Sequence, residues 1–193
     1  QNMNLNLSGA MDKSSYGLRT CYTLKHLADI GHNISLFPVG PIDPAYNKFT
    51  KSIQNSIKNA NMFDHKAPSL RIYAQFSMAQ HVGSPKIGLT TFELDCLNDI
   101  EIHHLKYLDK IIVASKWAKD VIKKYMDTPI SVVPGAYDDE YYFPMRTNDN
   151  DGPFKFTLVG KYEKRKNQEQ LIEAFGKAFT SKDDVELHLL CMN

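Results

Sequence analysis

The amino-acid sequence predicts an α/β fold, a Rossmann-like parallel sheet with helices on both of its faces. Strands are predicted at 86–92, 110–114 and 130–133, and the last two contain short apolar runs rich in β-branched residues, which are typical of strands covered on both faces. Amphipathic helical patterns lie between them, at about 98–108 and 116–125. Because helices that separate consecutive strands form right-handed crossovers, the strands are expected to be parallel.

The first third of the chain shows the same alternation with more interruptions. Three further strands are predicted there, at residues 3–7, 33–37 and 70–74. A loop at 8–15 is expected to lead into a helix, in which apolar residues recur every three positions from Leu18 to Ile30. A second helix is predicted at 46–60, with its aromatic and aliphatic residues on one face.

Several local signals predict where these elements begin and end. Gly31 is expected to end the first helix, since a left-handed terminal residue is least costly as glycine. Three prolines are expected to break the chain after the second strand: Pro38, Pro41 and Pro44. Ser115 is a natural N-cap, and Asn167 with Gln170 resembles a capping pair at the start of a later helix.

A change in composition at 134–153 predicts a domain boundary. Pro, Gly, Asp and Asn dominate this segment, and the apolar periodicity stops there. We therefore expect a first domain at 1–140, a linker at 141–153 and the start of a second domain at 154–193. One strand–helix–strand unit of ~40 residues rarely buries a sufficient core. The second Rossmann-like domain is thus expected to be incomplete, and the chain to be a fragment.

The composition indicates a globular protein without a strong overall charge. Hydrophobic residues make up 42% of the chain and charged residues 23%, which is enough to build a core. A net charge of +1 gives no long-range attraction to nucleic acid, so no such partner is expected. No apolar run approaches the ~20 residues of a membrane span, and the first residues lack a signal-peptide pattern. The prediction is a protein without a transmembrane segment, cytoplasmic or peripheral to a membrane.

The cysteines and histidines predict neither a disulfide framework nor a metal site. Cys21, Cys96 and Cys191 are odd in number and widely spaced, and each lies in an apolar segment. All three are therefore predicted to be buried thiols. His103 and His104 are adjacent on a predicted helix, so their side chains point about 100° apart and cannot share a face as metal ligands would.

The segment GKYEKRKN, at residues 160–167, concentrates positive charge. It holds four of the 23 Lys and Arg residues of the chain in eight positions. The segment lies between the carboxyl end of a predicted strand and the amino end of a predicted helix, where open α/β sheets bind ligands. Unpaired N–H groups and lysines at a helix start make a site for phosphate. The alternative is a solvated loop whose lysines contact only water.

The stretch LVGKYEKRKNQEQLIEAFGKAF resembles a segment of the family 4 retaining glycosyltransferases, which have the GT-B fold. In that family a Gly-Arg or Gly-Lys pair is followed five residues later by Lys. Three further segments are similar to motifs of the family and occur in the family's order: LADIGHNISLFP, LDKIIVASKWAKDVIKK and SVVPGAYDDEYYFP. Together the four segments span most of the chain.

This resemblance implies transfer of a sugar from a nucleotide-diphosphate sugar to a carbohydrate or lipid-linked acceptor, with retention. Gly160, Lys161 and Lys166 stand at donor-binding positions, and the two lysines would act as catalytic residues by stabilising the leaving diphosphate. Asn167 stands where the family usually has Gly, and lysine lacks the bidentate fork of arginine. Neither a metal nor another cofactor is expected. Because the donor domain is only begun, the chain alone is expected to be inactive.

The resemblance also implies acceptor-side residues in the first domain. Ser15, Tyr16 and Gly17 stand at a helix start, in the loop that faces the interdomain cleft in the family. Glu93 follows a predicted strand where many members have a His beside the transferred sugar, and Asp95 is a weaker candidate on the same turn. The alternatives are that Ser15 caps the helix, that Tyr16 packs, and that Glu93 is an N-cap or an exposed carboxylate.

Two other functions are weighed against glycosyl transfer. An NAD-type oxidoreductase or epimerase would need G-x-G-x-x-G directly after its first strand, whereas Gly9 is followed by AMDKSSY and then by Gly17. The sequence therefore argues against hydride transfer. A non-catalytic binding or scaffold module with the same fold is the remaining alternative, and only the enzyme requires a further domain beyond the chain.

Overall fold

The computed structural model describes residues 2–139, 142–144 and 152–191. The chain divides into two compact units, Gln1–Ala136 and Tyr137–Asn193. The predicted linker at 141–153 lies largely outside the described residues.

Six strands form the sheet of the first unit: β1 (Asn4–Met11), β2 (Asn33–Ile42), β3 (Ser69–Ile72), β4 (Lys86–Leu89), β5 (Lys110–Val113) and β6 (Ile130–Val132). All neighbouring strands pair in parallel, in the order β2-β1-β3-β4-β5-β6. The predicted α/β class and its parallel sheet are therefore confirmed. The order reverses between β1 and β3, which is typical of doubly wound α/β domains.

Four helices accompany these strands: α1 (Ser15–Asp29), α2 (Thr50–Asn59), α3 (Asp99–Lys106) and α4 (Lys116–Lys123). The helix predicted at 46–60 begins instead with a 3₁₀ turn, Pro44–Phe49. Asp43 caps this turn, since its carboxylate accepts a hydrogen bond from the Ala45 amide at 2.8 Å. In the described part of the chain, none of the helices combines the length and the apolar character that crossing a membrane requires.

Side chains alternate between two hydrophobic clusters, one on each face of the sheet. Leu7 of β1 lies in the first cluster with Leu24 of α1. Ile111 of β5 lies in the second cluster with Ile122 of α4, whereas its neighbour Ile112 packs against the first. Burying each such aliphatic side chain contributes about 1.5–3 kcal/mol. Both helical layers thus stabilise the sheet, and the prediction of helices on both faces is confirmed.

Strand β1 is longer than predicted and is buried along all but its first residue. The prediction of a loop at 8–15 is therefore wrong for residues 8–11, which belong to the strand. Helix α1 and strand β3 pack closely against this part of β1, which requires glycine at position 9. A Cβ atom at Gly9 would overlap the Thr20 hydroxyl of α1 and crowd the Ile72 carbonyl oxygen of β3. The segment SGAM has too little apolar alternation to indicate a strand by itself.

Strand β2 also continues where the prolines predicted a break. It passes through Pro38 and Pro41 to Ile42, and its partner along this length is β1. A proline cannot donate a hydrogen bond to a neighbouring strand, but β2 is the edge strand of the sheet, where the outer N–H needs no partner. Pro44 lies beyond the strand, at the start of the 3₁₀ turn.

Two predicted helix boundaries are confirmed. Gly31 follows α1 with φ of 96°, and its amide donates a hydrogen bond to the Ala28 carbonyl oxygen at 3.0 Å. Ser115 caps α4, since its hydroxyl accepts a hydrogen bond from the Ala118 amide at 3.1 Å. Each of these ends is determined by residues close together in the sequence, which is why the sequence predicts it.

The second unit contains two parallel strands and one helix: β7 (Phe154–Gly160), α5 (Gln168–Ala178) and β8 (Val185–Cys191). Phe156 of β7 packs against Phe175 and Phe179, with ring centroids 5.8 and 5.4 Å apart. Apolar side chains at the carboxyl ends of both strands are exposed, Val159 by 75% and Leu190 by 57%. The core of this unit is therefore small and largely aromatic.

Two predictions about side chains are wrong. Asn167 does not cap α5, because its backbone is left-handed, with φ of 56°, and its side chain makes no capping hydrogen bond. Cys96 and Cys191 are exposed, and of the three thiols only Cys21 is buried. Cys96 lies in the loop before α3 and Cys191 ends β8, so apolar neighbours in the sequence do not enclose either of them.

A buried arginine joins β1 to the segment that follows β3. Arg71 of β3 is 2% exposed and donates hydrogen bonds to Ser8 Oγ at 2.9 Å and to Ser77 Oγ at 3.0 Å. It also donates to Gln80 Oε1 at 3.2 Å. No carboxylate pairs with Arg71 among the residues that the structure describes. Neutral acceptors therefore satisfy this buried charge, and losing one of them would be costly.

His81 lies beside Arg71 and is neutral in the folded protein near pH 7. Its Nδ1 is 2.9 Å from Ser69 Oγ, and its Nε2 is buried with no hydrogen-bond partner in the described part of the chain. Burial, together with the positive charges of Arg71 and Lys86, lowers the pKa of His81 to about 4.

We expect His81 to make the free energy of unfolding depend on pH. An unfolded His has a pKa of about 6.5, so protonation below that value favours the unfolded chain. The contribution of His81 is present above pH ~6.5 and is lost as the pH falls toward about 4, by about 3 kcal/mol. Urea unfolding across this pH range should therefore give a shallower decline for His81→Gln than for the wild type. Equal declines in the two proteins would contradict the assignment.

Candidate functional site

The parallel strands bring the residues predicted on the acceptor side to the carboxyl ends of the strands of the first sheet, here called its carboxyl edge. The chain leaves β1 toward β2 on one side and returns to β3 on the other, so the loops after β1 and β3 diverge. Ligands of such folds bind in the crevice outside these carboxyl ends. Ser15, Tyr16 and Gly17 follow β1, and Glu93 follows β4, the neighbour of β3.

The start of α1 is capped by Ser14 rather than by Ser15. The Ser14 hydroxyl accepts a hydrogen bond from the Gly17 amide at 3.2 Å. The Ser14 amide in turn donates to Asp12 Oδ1 at 3.0 Å, and the same carboxylate oxygen accepts from the Ser14 hydroxyl. The alternative in which Ser15 caps the helix is therefore wrong. Ser15 is the first helical residue and is exposed.

Tyr16 connects the start of α1 to the segment after β4. Its hydroxyl donates a hydrogen bond to the Thr91 carbonyl oxygen at 2.6 Å, and the Thr91 hydroxyl lies 3.3 Å from it. Its ring lies 5.6 Å from that of Tyr73, the residue after β3. Tyr16 is half-buried against the first hydrophobic cluster. The alternative that Tyr16 packs is confirmed, and its contacts connect three loops at the carboxyl edge.

Gly17 is required by a close approach of the chain to itself. The residue is buried, and a Cβ atom there would overlap the main chain of Asp12, including its carbonyl oxygen. The loop of three residues between β1 and α1 therefore folds back onto the first turn of the helix. The sequence identifies Gly17 only as a residue near a helix start and contains no signal for this contact.

Tyr46 also holds this loop, although the sequence does not single it out. Its hydroxyl donates a hydrogen bond to the Asp12 carbonyl oxygen at 2.8 Å. Burial, with added repulsion from the nearby Cys21, Asp12 and Asp43, raises the pKa of Tyr46 to about 12. Tyr46 is therefore a neutral hydrogen-bond donor at physiological pH. The contact joins residues 34 positions apart, which periodicity cannot predict.

Glu93 lies in the loop between β4 and α3 and is exposed. It does not cap α3, because Asn98 does so: its Oδ1 accepts from the Glu101 amide at 3.0 Å, and Glu101 Oε2 accepts from the Asn98 amide at 2.8 Å. The alternative of an N-cap is therefore wrong for Glu93. Asp95 is exposed in the same loop, and its carbonyl oxygen accepts a hydrogen bond from Lys124 Nζ at 3.4 Å.

The second unit presents its predicted donor-binding residues in the loop between β7 and α5. Gly160 ends β7, and Lys166 ends a 3₁₀ turn, Lys164–Lys166. Gln168, the first residue of α5, is 2% exposed, and its Nε2 donates a hydrogen bond to the Lys161 carbonyl oxygen at 2.6 Å. This bond holds both ends of the loop together. Gln168 is not among the residues that the sequence predicts for the site, because its place at a helix start is the one signal it carries.

The cations of this loop differ in whether they are paired. Arg165 Nε lies 2.9 Å from Glu163 Oε2, so this charge is balanced within the loop. Three lysines are exposed and have no ion-pair partner among the described residues: Lys161, Lys164 and Lys166. They lie just before α5, whose amino end adds a partial positive charge. The loop is therefore suited to an anion with several negative charges.

Neither metal ligands nor known relatives add to this geometry. Within the described ranges, no group of three or more His, Cys, Asp or Glu side chains is arranged to hold a metal ion. No family model, curated protein or solved structure matches the chain.

We expect Gly17→Ala to destabilise the first unit by about 3 kcal/mol, because the new methyl group would displace the Asp12 main chain. Gly135→Ala is the matched control, since nothing lies within 4 Å of a Cβ atom there. It should change the free energy of unfolding by less than about 0.5 kcal/mol. Urea unfolding of both variants measures this, and equal small effects would show that the close approach is not a constraint.

Proposed function

We propose that the chain is part of a retaining glycosyltransferase of the GT-B type. This enzyme would transfer a sugar from a nucleoside-diphosphate sugar to a hydroxyl group of an acceptor. The observation that carries this proposal is that Lys161 and Lys166, at the positions that the family motif assigns to diphosphate binding, lie between β7 and α5 without an ion-pair partner among the described residues. In the reaction, the bond between the sugar C1 and the diphosphate oxygen breaks, and a bond from C1 to the acceptor oxygen forms. The acceptor proton passes to a phosphate oxygen of the leaving group.

Lys161 and Lys166 have the chemistry that such a reaction requires. Negative charge grows on the diphosphate as its bond to the sugar breaks, and positioned cations stabilise that charge more in the transition state than in the ground state. Both ammonium groups are on exposed residues, and no carboxylate of the described residues competes for them. Because a lysine is a point charge, it binds phosphate without a fixed bidentate geometry.

The bond between Gln168 and Lys161 supports this role by limiting the motion of the loop. A flexible loop would lose more conformational entropy on binding a diphosphate than one already held at both ends. The hydrogen bond of 2.6 Å fixes the Lys161 main chain against the first residue of α5. The point at which the Lys161 side chain leaves the main chain is therefore held close to the first residue of the helix.

The first unit supplies the acceptor side in this proposal. Ser15 and Glu93 are exposed at the carboxyl edge of its sheet, where ligands of doubly wound folds bind. Tyr16 and Gly17 shape that edge through their contacts with Thr91 and Asp12. The acceptor is proposed to be a carbohydrate or a lipid-linked molecule that presents a hydroxyl group.

We expect Lys161→Gln and Lys166→Gln each to weaken the binding of nucleoside diphosphates about tenfold, since each removes one charged hydrogen-bond donor. Isothermal titration calorimetry of the whole chain with UDP, GDP, ADP and inorganic pyrophosphate measures this. Lys182→Gln is the matched control, because it removes an exposed lysine after the other end of α5. The control should bind as the wild type does. Unchanged affinity in a variant lacking both Lys161 and Lys166, or no binding by the wild type, would contradict the proposal.

A further inference from the structure

A polar cleft of about 400 Å³ lies between α1 and α2 in the first unit. Helix α2 lines it with Lys51, Ser52, Asn55, Ser56 and Asn59, and the end of α1 and the start of β2 form its other side. The volume is in the range of small-molecule sites in proteins. Because α1 ends and β2 begins at this cleft, it is a different site from the carboxyl edge.

Ser56 places a hydroxyl group without a hydrogen-bond partner in this cleft. The residue is 3% exposed and lies on the buried face of α2 with Ile53. In the described part of the chain its Oγ makes no hydrogen bond, yet it is not closed off from solvent as His81 Nε2 and Thr90 Oγ1 are. The hydroxyl group is therefore open to the cleft. Since a buried hydroxyl group is costly unless a partner satisfies it, Ser56 indicates a ligand.

Several other groups that line the cleft are free to donate hydrogen bonds. Lys51 is exposed and forms no ion pair with any residue that the structure describes. His32 Nδ1 accepts a hydrogen bond from the Met3 amide at 3.3 Å, so the neutral imidazole carries its proton on Nε2. The side chains of Ser52 and Asn55 likewise make no hydrogen bond within the described ranges. One ligand could therefore accept hydrogen bonds from several of these groups.

The two ends of the cleft differ in charge. Lys51 lies in the first turn of α2, about 12 Å along the helix axis from Asn59 in the last turn. Asp29, at the end of α1, is paired with Lys25 Nζ at 2.7 Å. Both amide hydrogens of Asn59 are donated to residues at the start of β2, which leaves its Oδ1 as an acceptor. The Lys51 end therefore suits an anionic group, and the Asn59 end suits hydroxyl groups.

We propose that this cleft binds a small hydroxylated carboxylate of the sugar-acid class, with its carboxylate at Lys51 and its hydroxyl groups at Ser56 and Asn59. Hydroxyl groups both donate and accept hydrogen bonds, as the Ser56 hydroxyl and the Asn59 carbonyl oxygen require. The site is independent of the proposed function, because it shares no residue with the loop between β7 and α5 or with the carboxyl edge.

A carboxylate fits the charges of the cleft better than a phosphate monoester or a neutral polyol. Of the described residues that line the cleft, Lys51 brings a positive charge that no carboxylate balances. A phosphate monoester carries nearly two negative charges near pH 7. The carboxyl ends of α1 and α2 add partial negative charge at the other end of the cleft, which repels the second charge. A neutral polyol would leave the Lys51 ammonium group without a partner.

Isothermal titration calorimetry of the whole chain compares ligands that differ in one group. Gluconate and sorbitol share an open carbon chain and differ in the carboxylate, and glucuronate and glucose form a second such pair. Glucose 6-phosphate represents the doubly charged alternative. We expect saturable binding of at least one of the two acids, about tenfold tighter than its neutral counterpart, because a charged hydrogen bond is gained.

Two variants test the assigned contacts. Lys51→Gln should weaken binding of the acid about tenfold, and Ser56→Ala about fivefold. Ser56→Ala should unfold at a urea concentration no lower than the wild type, because alanine favours a helix and removes an unsatisfied hydroxyl group. Lys58→Gln is the matched control, since Lys58 is an exposed lysine of α2 that does not line the cleft. The control should bind as the wild type does.

No binding of either acid would overturn the inference. Equal affinity for an acid and its neutral counterpart, or tighter binding of glucose 6-phosphate, would also overturn it. So would unchanged affinity in either Lys51→Gln or Ser56→Ala. Pyrophosphate binding measured on the same variants should equal that of the wild type, because Lys161 and Lys166 are intact in them.

Discussion

Burial of β1 on both faces is the constraint on which the first unit depends. Every residue of this strand after the first is buried, and the strand pairs with β2 on one side and β3 on the other. Helices must therefore cover both faces, and the chain forms β2 on one side of β1 before it returns to form β3 on the other. The loop after β1 is held accordingly, by the Ser14 cap, the Tyr46 hydrogen bond to Asp12 and the close approach at Gly17. The candidate acceptor residues at the carboxyl ends of the strands are thus positioned by the contacts that hold the loop after β1.

In the second unit, local charge rather than net charge supports a function. The chain as a whole carries only +1, yet one loop presents three lysines without carboxylate partners in the described ranges. Arg165 shows the contrast, because Glu163 neutralises it within the same loop. Gln168 is uncharged and restrains the main chain of this loop, because its side chain donates a hydrogen bond to the Lys161 carbonyl oxygen. The proposed diphosphate ligand would bring several negative charges to these lysines, just before a helix.

The sequence predicts those features that neighbouring residues determine, and it misses those that distant residues determine. The α/β class, the Ser115 cap and the end of α1 at Gly31 follow from short patterns, and all three are confirmed. The continuation of β2 through Pro38 depends on that strand being at the edge of the sheet, which no local pattern states. The bond from Gln168 to Lys161 spans a loop whose path is set by the strand and helix on either side. Motifs therefore identified the candidate residues, but not the contacts that hold them.

The proposed function depends on binding of a diphosphate by the loop between β7 and α5. Amide chemical-shift mapping of the isotope-labelled chain during a titration with inorganic pyrophosphate tests it most directly. We expect saturable shifts concentrated at residues 160–168, with the amides of β3 unchanged. Shifts that do not saturate there, or that are largest in the first unit, would contradict it.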